Sequence, residues 1–205
     1  MKLVVFGATG PTGRHLVSQA LAEGHEVTAF ARRRAAMEQV RIVQGDAFAQ
    51  PDTVAAAIRG QDAVLSALGV SRTFFPHGLI ERSVRNIVQA MEREGVRRFV
   101  LMSAFGVGES KREAPALPRL MYGTLLRAIF ADKKAAEDYL RARDLDWTIV
   151  YPVLLTNGPL RRSYRVGERL PLRGMPTISR ADVAHFMLSE LARPQYVRRV
   201  PVLSY

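Results

Sequence analysis

Short uninterrupted apolar runs alternate along the chain with longer stretches in which apolar residues recur every three or four positions. The runs lie at 2–6 (Lys-Leu-Val-Val-Phe), 26–31, 40–44, 62–67, 97–102 and 146–151, and they are rich in Val, Ile and Phe. Several lack a polar alternate face, as expected of strands covered on both sides. Helical spacing occupies about 12–23, 51–59, 78–95 and 127–143. In the third of these, Leu79, Ile80, Ser83, Val84, Ile87, Val88 and Met91 share one face, and Gly95 stands where a C-terminal cap belongs. Strand alternating with helix predicts βαβ units and an α/β fold with a doubly wound parallel sheet. After Tyr151-Pro152 the alternation stops. Residues 153–178 carry Pro159, Pro171 and Pro176 with Gly158, Gly167 and Gly174, which predicts loops and short strands forming a small C-terminal substrate lobe over the sheet edge. A last helix is expected at 180–192, with Ser179 as N-cap and Asp182 at N3. Val200-Pro201-Val202-Leu203 predicts a short closing strand. The expectation is one domain over 1–205, with a core at 1–152 and the lobe and closing helix at 153–205.

Composition narrows the chemistry. A chain of 205 residues buries a sizeable core without staples. It contains no cysteine, which excludes disulfides, thiolate metal sites and cysteine nucleophiles. No apolar run reaches about 18 residues, so no membrane span is expected. The first apolar run follows Met1-Lys2 directly and is too short for a secretion signal, which predicts a cytoplasmic protein. His15, His25, His77 and His185 are not spaced as a metal pair, and no metal is expected. The net charge is +11, yet only Lys2, Lys111, Lys133 and Lys134 among the 30 basic residues are lysine, and the arginines are scattered. No basic segment is interleaved with aromatics, so a solvated basic surface is favoured over a polyanion site and no nucleic acid partner is expected.

The strongest chemical signal is Gly7-Ala8-Thr9-Gly10-Pro11-Thr12-Gly13, which follows the first predicted strand and opens the first helix. Glycines there permit a tight turn and let backbone N–H groups approach a pyrophosphate at the helix N-terminus. The spacing is GxxGxxG rather than the common GxGxxG. An NAD site usually carries an acid about 20 residues further on, for the ribose 2′-hydroxyl. Here the second strand ends in Arg32-Arg33-Arg34. A guanidinium fork binds a 2′-phosphate that a carboxylate would repel, so NADPH is expected over NADH. The third strand ends Gly45-Asp46-Ala47. Asp46 either accepts from the adenine amino group or caps the next turn.

With Gly7–Gly13, Gly45-Asp46, Gln61-Asp62-Ala63-Val64, Asn86-Ile87-Val88-Gln89-Ala90-Met91, Ser103-Ala104-Phe105, Trp147-Thr148-Ile149-Val150-Tyr151-Pro152 and Ile178–Leu188, the chain resembles an atypical short-chain dehydrogenase. It is most similar to the NADPH-dependent flavin reductase and biliverdin-IXβ reductase family and its bacterial relatives. The resemblance covers nearly the whole chain and implies a Rossmann-like, NAD(P)-binding oxidoreductase. By position it implies that Ala67-Leu68-Gly69 lie beside the cofactor, that Met102 and Ser103 end the fifth strand near the nicotinamide, and that Pro152, Val153 and Leu154 line the nicotinamide side. Lys133 falls at the lysine of the superfamily's Tyr-x-x-x-Lys pair, but the tyrosine position is Ile129. Simple carbonyl reduction needs a proton donor at the developing alkoxide, and that tyrosine is absent. A flavin needs less, because its ring system delocalises the charge and a proton can come from water. Some biliverdin-type relatives have a histidine shortly after the proline, where this chain has Val153-Leu154-Leu155.

The implied function is hydride transfer from NADPH to a free flavin or a similar conjugated acceptor, a quinone or a bilin. Ser103 and Lys133 are the candidate catalytic residues. Ser103 either orients the carboxamide or acceptor or caps backbone, and Lys133 either binds ribose hydroxyls or forms an exposed helical pair with Glu137. The alternatives are a non-catalytic NADP-binding regulator and an epimerase or dehydratase acting on a nucleotide sugar. Phe74-Phe75 beside His77 are either core or a stacking surface for flavin, Arg161, Arg162 and Arg165 a solvated basic face or a steering surface for an acidic acceptor, and Trp147 is expected in the core.

Overall fold

The computed structural model describes residues 1–33, 37, 39–69, 78–113 and 127–205, with 111–113 described by backbone alone. Arg34, Phe74, Phe75 and His77 lie outside the described residues.

The apolar runs form β1 (Lys2–Phe6), β2 (Glu26–Ala31), β3 (Arg41–Gln44), β4 (Ala63–Ser66), β5 (Arg98–Met102) and β6 (Asp146–Pro152). Between them lie α1 (Pro11–Ala22), α2 (Pro51–Ile58), α3 (Leu79–Glu94), a 3-10 turn (Gly108–Glu113) and α4 (Arg127–Arg141). The last part contains β7 (Leu154–Thr156), β8 (Arg165–Gly167), β9 (Thr177–Ser179), α5 (Arg180–Ala192) and β10 (Val202–Ser204). The main sheet has the order β3-β2-β1-β4-β5-β6-β10-β8. All its neighbours run parallel except β8, which pairs antiparallel with β10. β7 and β9 form a separate parallel pair, Leu155 opposite Ile178.

Strand direction and helix placement follow from burial. Leu3, Val4, Val5 and Phe6 are all fully buried, so β1 is covered on both faces. α1 packs against α5, whereas α2, α3 and α4 pack in a row as a second layer. The strand order reverses between β1 and β4, and ligands of open α/β sheets bind outside the carboxyl ends at such a point.

Caps fix the helix ends that border this edge. Gly95 ends α3 at φ 73°, with the N–H of Val96 donating to Met91 O. The start of α3 has only Gly78 as N-cap and no side-chain cap of its own sequence. Buried Asp132 of α4 supplies one: Oδ2 accepts from Ile80 N at 2.9 Å and Oδ1 from Glu81 N at 3.0 Å. α5 starts as its sequence predicts. Ser179 Oγ accepts from Asp182 N at 3.0 Å and donates to Asp182 Oδ2 at 2.8 Å. Asp182 Oδ1 also accepts from the backbone N–H groups of Arg161 and Arg162, and Oδ2 from the Tyr205 hydroxyl at 2.6 Å. One carboxylate thus ties the lobe and the C-terminal residue to the start of α5. Buried Trp147 sits in β6 with the Arg141 guanidinium 5.8 Å from its ring centroid.

Candidate functional site

The site begins where β1 stops. Gly7 adopts φ +76°, a left-handed conformation that costs glycine little. Gly10 N donates to Gly7 O at 2.9 Å, closing the turn, and Arg14 N donates to Gly10 O at 2.9 Å, opening α1. Gly10 is the N-cap and Pro11 the first helical residue, with no side-chain cap and no acid in the first turn. The orphan N–H groups and the positive end of α1 are therefore left for an anion. The packing shows why glycine is needed. A Cβ on Gly13 would lie 2.0 Å from Gly7 O, and one on Gly7 would lie 2.7 Å from Ala67 O.

This turn forms one wall of a cavity of about 590 Å³ at the carboxyl edge of the sheet. Gly7, Thr9, Gly10, Pro11 and Thr12 line it, whereas Ala8 and Gly13 are buried behind the turn. The end of β2 contributes Phe30, Ala31 and Arg32, while exposed Arg33 stays outside the lining. The loop after β3 contributes Gly45, Asp46 and Ala47, and the loop after β4 contributes Ala67, Leu68 and Gly69. Met102, Leu79 and Ser83 complete that side, and Leu155 and Arg180 face from the C-terminal part.

The loop after β3 is tightly held. Asp46 Oδ1 accepts from Phe48 N at 2.9 Å, so one of its oxygens closes an Asx turn while the residue still borders the cavity. Asn86 of α3 donates from Nδ2 to Ala47 O and Phe48 O. A Cβ on Gly45 would meet Phe30 Cζ and Thr53 Cγ2 at 2.8 Å, so the loop packs closely against these two side chains. Arg32 also borders a second, shallower cavity with Gln44, Gly45, Asp46 and Gln50. Arg180 is anchored by a 2.7 Å bond from Nη1 to Asn157 Oδ1.

Ser103 and Lys133 are both buried, and neither belongs to the lining. Ser103 Oγ lies 2.5 Å from Glu137 Oε1, and Tyr151 donates its hydroxyl to Glu137 Oε2 at 2.6 Å. Arg141 Nη2 donates to the same Oε2 at 3.3 Å. Burial pushes the Glu137 carboxyl above its ordinary range, opposed by the hydrogen bonds from Ser103 and Tyr151 and by the charges of Arg141 and Lys133. Burial also pushes the Lys133 ammonium down, against the attraction of Glu137 and Asp132. The Tyr151 phenol is raised by burial and by the neighbouring Glu137. The expected partnership of Lys133 with Glu137 is therefore present as an electrostatic contact, but it is buried rather than an exposed helical pair.

Pro152 and Val153 are buried in the core and Leu154 points to solvent, 51% exposed; the lining residue from this segment is Leu155. Pairing of β7 with β9 explains the offset, because alternation along β7 turns Leu154 and Leu155 to opposite sides. Sequence reasoning also missed Phe30, Ala31, Leu79, Ser83 and Arg180 as lining residues. Ser83 and Leu79 lay on the predicted apolar face of α3, which was the available signal. Arg180 had none beyond its place after the predicted cap. Among the described residues no group of acids and histidines is placed to hold a metal ion.

A glycine turn that excludes Cβ atoms, an uncapped helix start and a long cavity along the sheet edge fit a dinucleotide diphosphate. Comparison with known proteins agrees. An uncharacterized chloroplastic protein of Arabidopsis thaliana is 32% identical over 77% of this chain and 60% of its own. The photosystem II assembly factor Ycf39 of Synechocystis sp. is 27% identical over 96% of this chain and 61% of its own. The chain thus spans about three fifths of the length of these two relatives. The structure of ChuY, an anaerobilin reductase of Escherichia coli O157:H7, superimposes with a TM-score of 0.82 at 25% identity, covering 99% of this chain and 96% of that one. A provisionally named NADH-flavin reductase of Streptococcus pneumoniae gives 0.81 at 26% identity, covering 100% and 99%. The NAD(P)H-binding family model matches residues 7–194, from the first glycine of the turn to two residues past the last helix. The doubly wound sheet, the glycine cradle and this match make the chain a member of the NAD(P)H-binding family.

Proposed function

We propose that the protein is an NADPH-dependent reductase that passes hydride to a free flavin or a similar conjugated acceptor such as a quinone or a bilin. The observation that carries this is the cavity at the carboxyl edge, lined by the glycine turn of residues 7–12 and by Arg32, with no acid at the tip of β2.

The turn holds the diphosphate through main-chain N–H groups of its glycines and of the first turn of α1. Arg32 presents a guanidinium to a ribose 2′-phosphate, assisted by exposed Arg33 next to it. Asp46 and Ala47 border the adenine, and Ala67, Leu68 and Gly69 support the nicotinamide half against Met102. The dinucleotide supplies the hydride. The protein's part is to hold two flat ring systems in line and keep water from between them. Ser103 and Lys133, both buried outside this lining, are the candidate catalytic residues. The likeness to the anaerobilin and NADH-flavin reductases supports a conjugated acceptor.

A second reading, a nucleotide-binding factor without turnover, is favoured by Ile129 at the usual tyrosine position and by the likeness to a photosystem II assembly factor. Loss of NADPH absorbance with FMN, riboflavin, a quinone or a bilin separates the two. Turnover with one of them is the expected result. Tight NADPH binding with no turnover on any acceptor would favour the second reading.

A further inference from the structure

We propose that Arg180 reads an acidic group on the acceptor, so that the molecules this site takes are conjugated ring systems carrying a phosphate or a carboxylate. The inference rests on the reductase reading above and deepens it by naming the feature that separates one acceptor from another.

The geometry starts in the small sheet of the C-terminal part. β7 and β9 run parallel, with Thr156 opposite Ser179. The next residues on the two strands, Asn157 and Arg180, therefore emerge side by side. Arg180 Nη1 donates to Asn157 Oδ1 at 2.7 Å and, at the limit of a hydrogen bond, to Leu155 O at 3.5 Å. Both anchors are neutral, and both take the same nitrogen. They hold the guanidinium without neutralising it and do not use its Nε–Nη2 edge, a pair of donors that matches two oxygens of a carboxylate or a phosphate. The carboxylate nearest in sequence is committed elsewhere. Asp182 Oδ1 accepts from Arg161 N and Arg162 N, and Oδ2 from the hydroxyls of Ser179 and Tyr205.

Arg180 is partly buried and borders the carboxyl-edge cavity beside Leu155. Its neighbours in the lobe are engaged away from that lining. The Arg161 guanidinium lies 4.8 Å from the Tyr205 ring centroid, and Arg165 donates to Pro171 O and Tyr205 O. Among the described residues Arg180 is thus the arginine that the C-terminal part contributes to the cavity.

Its place along the sheet separates it from the charges of the dinucleotide. The edge runs β2-β1-β4-β5-β6. On the reading above, the 2′-phosphate lies at β2, the diphosphate at β1 and the nicotinamide half at β4 and β5. Strands about 4.8 Å apart put the end of β6, from which Leu155 and Asn157 follow, about 14 Å from the end of β1. NADPH has no anionic group left for that end, because its phosphates face the cradle and Arg32 and its reduced nicotinamide half is neutral. A further cation in the same cavity then answers to the second ligand. Covering a guanidinium costs desolvation, which a neutral acceptor leaves uncompensated and an acidic one offsets.

The test uses pairs of acceptors that share a ring system and differ in the acid: FMN against riboflavin, and biliverdin against its dimethyl ester. One readout is kcat/KM from NADPH oxidation. The other needs no turnover and is the dissociation constant of each acceptor from the protein loaded with oxidised cofactor. Wild-type protein should favour the acidic member of at least one pair by about tenfold or more, the worth of a charge-assisted hydrogen bond in a solvated cavity. In Arg180→Ala that ratio should fall to about one, and Arg180→Lys, which keeps the charge but loses the fork, should stand between. Arg161→Ala removes an equal charge from the neighbouring surface and should leave the ratio within about twofold. A wild-type ratio near one for both pairs, no binding of either acid, a ratio unchanged in Arg180→Ala or an equal fall in Arg161→Ala overturns the proposal. So does a loss of NADPH affinity in Arg180→Ala with the ratio kept, which would give the arginine to the cofactor. If Arg180→Ala does not fold, as thermal unfolding would show, Arg180→Lys carries the comparison. If an acid binds with an Arg180-dependent ratio but no acceptor is reduced, the reductase reading fails and the assignment of Arg180 stands. Turnover with a ratio indifferent to Arg180 does the reverse.

Discussion

The Gly13→Ala substitution is the sharpest probe of the cradle. An alanine Cβ at this position would lie 2.0 Å from Gly7 O, 2.7 Å from Gly7 C and 2.8 Å from Ala8 Cα, whereas real Cβ atoms essentially never come within 3.0 Å of a neighbour. All three obstacles are backbone, so no side chain can swing away. The turn must open by about 1 Å, an overpacking strain worth about 1–3 kcal/mol. The gain in helix propensity from glycine to alanine, up to about 1 kcal/mol, offsets part of it. A net loss of about 1–2 kcal/mol corresponds to a fall in Tm of about 2–8 °C for a chain of this size. Opening the turn also strains the Gly10 N to Gly7 O bond and carries N–H groups away from the diphosphate. Losing one charge-assisted hydrogen bond costs about 1.5–3 kcal/mol, so NADPH should bind about 10- to 100-fold more weakly. Gly69→Ala is the control: it borders the same cavity, but its Cβ would meet nothing within 4 Å. Thermal unfolding and a fluorescence titration with NADPH read both effects. Wild-type stability and affinity in Gly13→Ala, or equal damage in Gly69→Ala, would refute the reasoning.

Arg32→Glu should weaken NADPH by about tenfold or more and leave NADH little changed, since a solvent-screened guanidinium–phosphate contact sits at the low end of charged hydrogen bonds; calorimetric titration with both nucleotides checks this, and equal effects would remove the 2′-phosphate assignment. Asp132→Ala leaves the N–H groups of Ile80 and Glu81 without their acceptor and should destabilise the protein by about 2–4 kcal/mol in urea unfolding, where a loss below about 0.5 kcal/mol would deny the cap its role. Because burial raises the Glu137 carboxyl in the folded state, its contribution to stability is fully present below the ordinary carboxyl range and is lost as pH rises through the folded value. Glu137→Gln should therefore gain stability relative to wild type as pH rises above the ordinary carboxyl range, and a pH-independent difference would contradict that environment.

Much of this architecture is legible in one sequence because local pattern and tertiary role coincide. The runs that contain Leu3–Phe6 and Phe99–Met102 are buried on both faces, so their lack of alternation announces parallel strands. Gly95 and Ser179-Asp182 cap helices through contacts within a few residues, which sequence spacing records. The Gly7–Gly13 turn is legible for the same reason. The remainder depends on contacts between distant residues. Asp132 caps a helix that starts more than fifty positions earlier, and nothing in its own surroundings announces this. The pairing of Leu155 with Ile178 decides which of two adjacent leucines reaches the cavity. Glu137 draws Ser103 and Tyr151 together from two strands. Its sequence signal was only that it follows Lys133 by one helical turn, and it read equally well as a surface pair.

Amide NMR during an NADPH titration reads whether the main chain of residues 7–13 grips a dinucleotide diphosphate. Saturable shifts are expected at Thr9, Gly10, Thr12 and Gly13, accompanied by Arg32 and Gly69 of the same cavity, with a weaker response at Arg32 when NADH replaces NADPH. Absence of binding, or shifts that spare these amides and gather elsewhere, would contradict it.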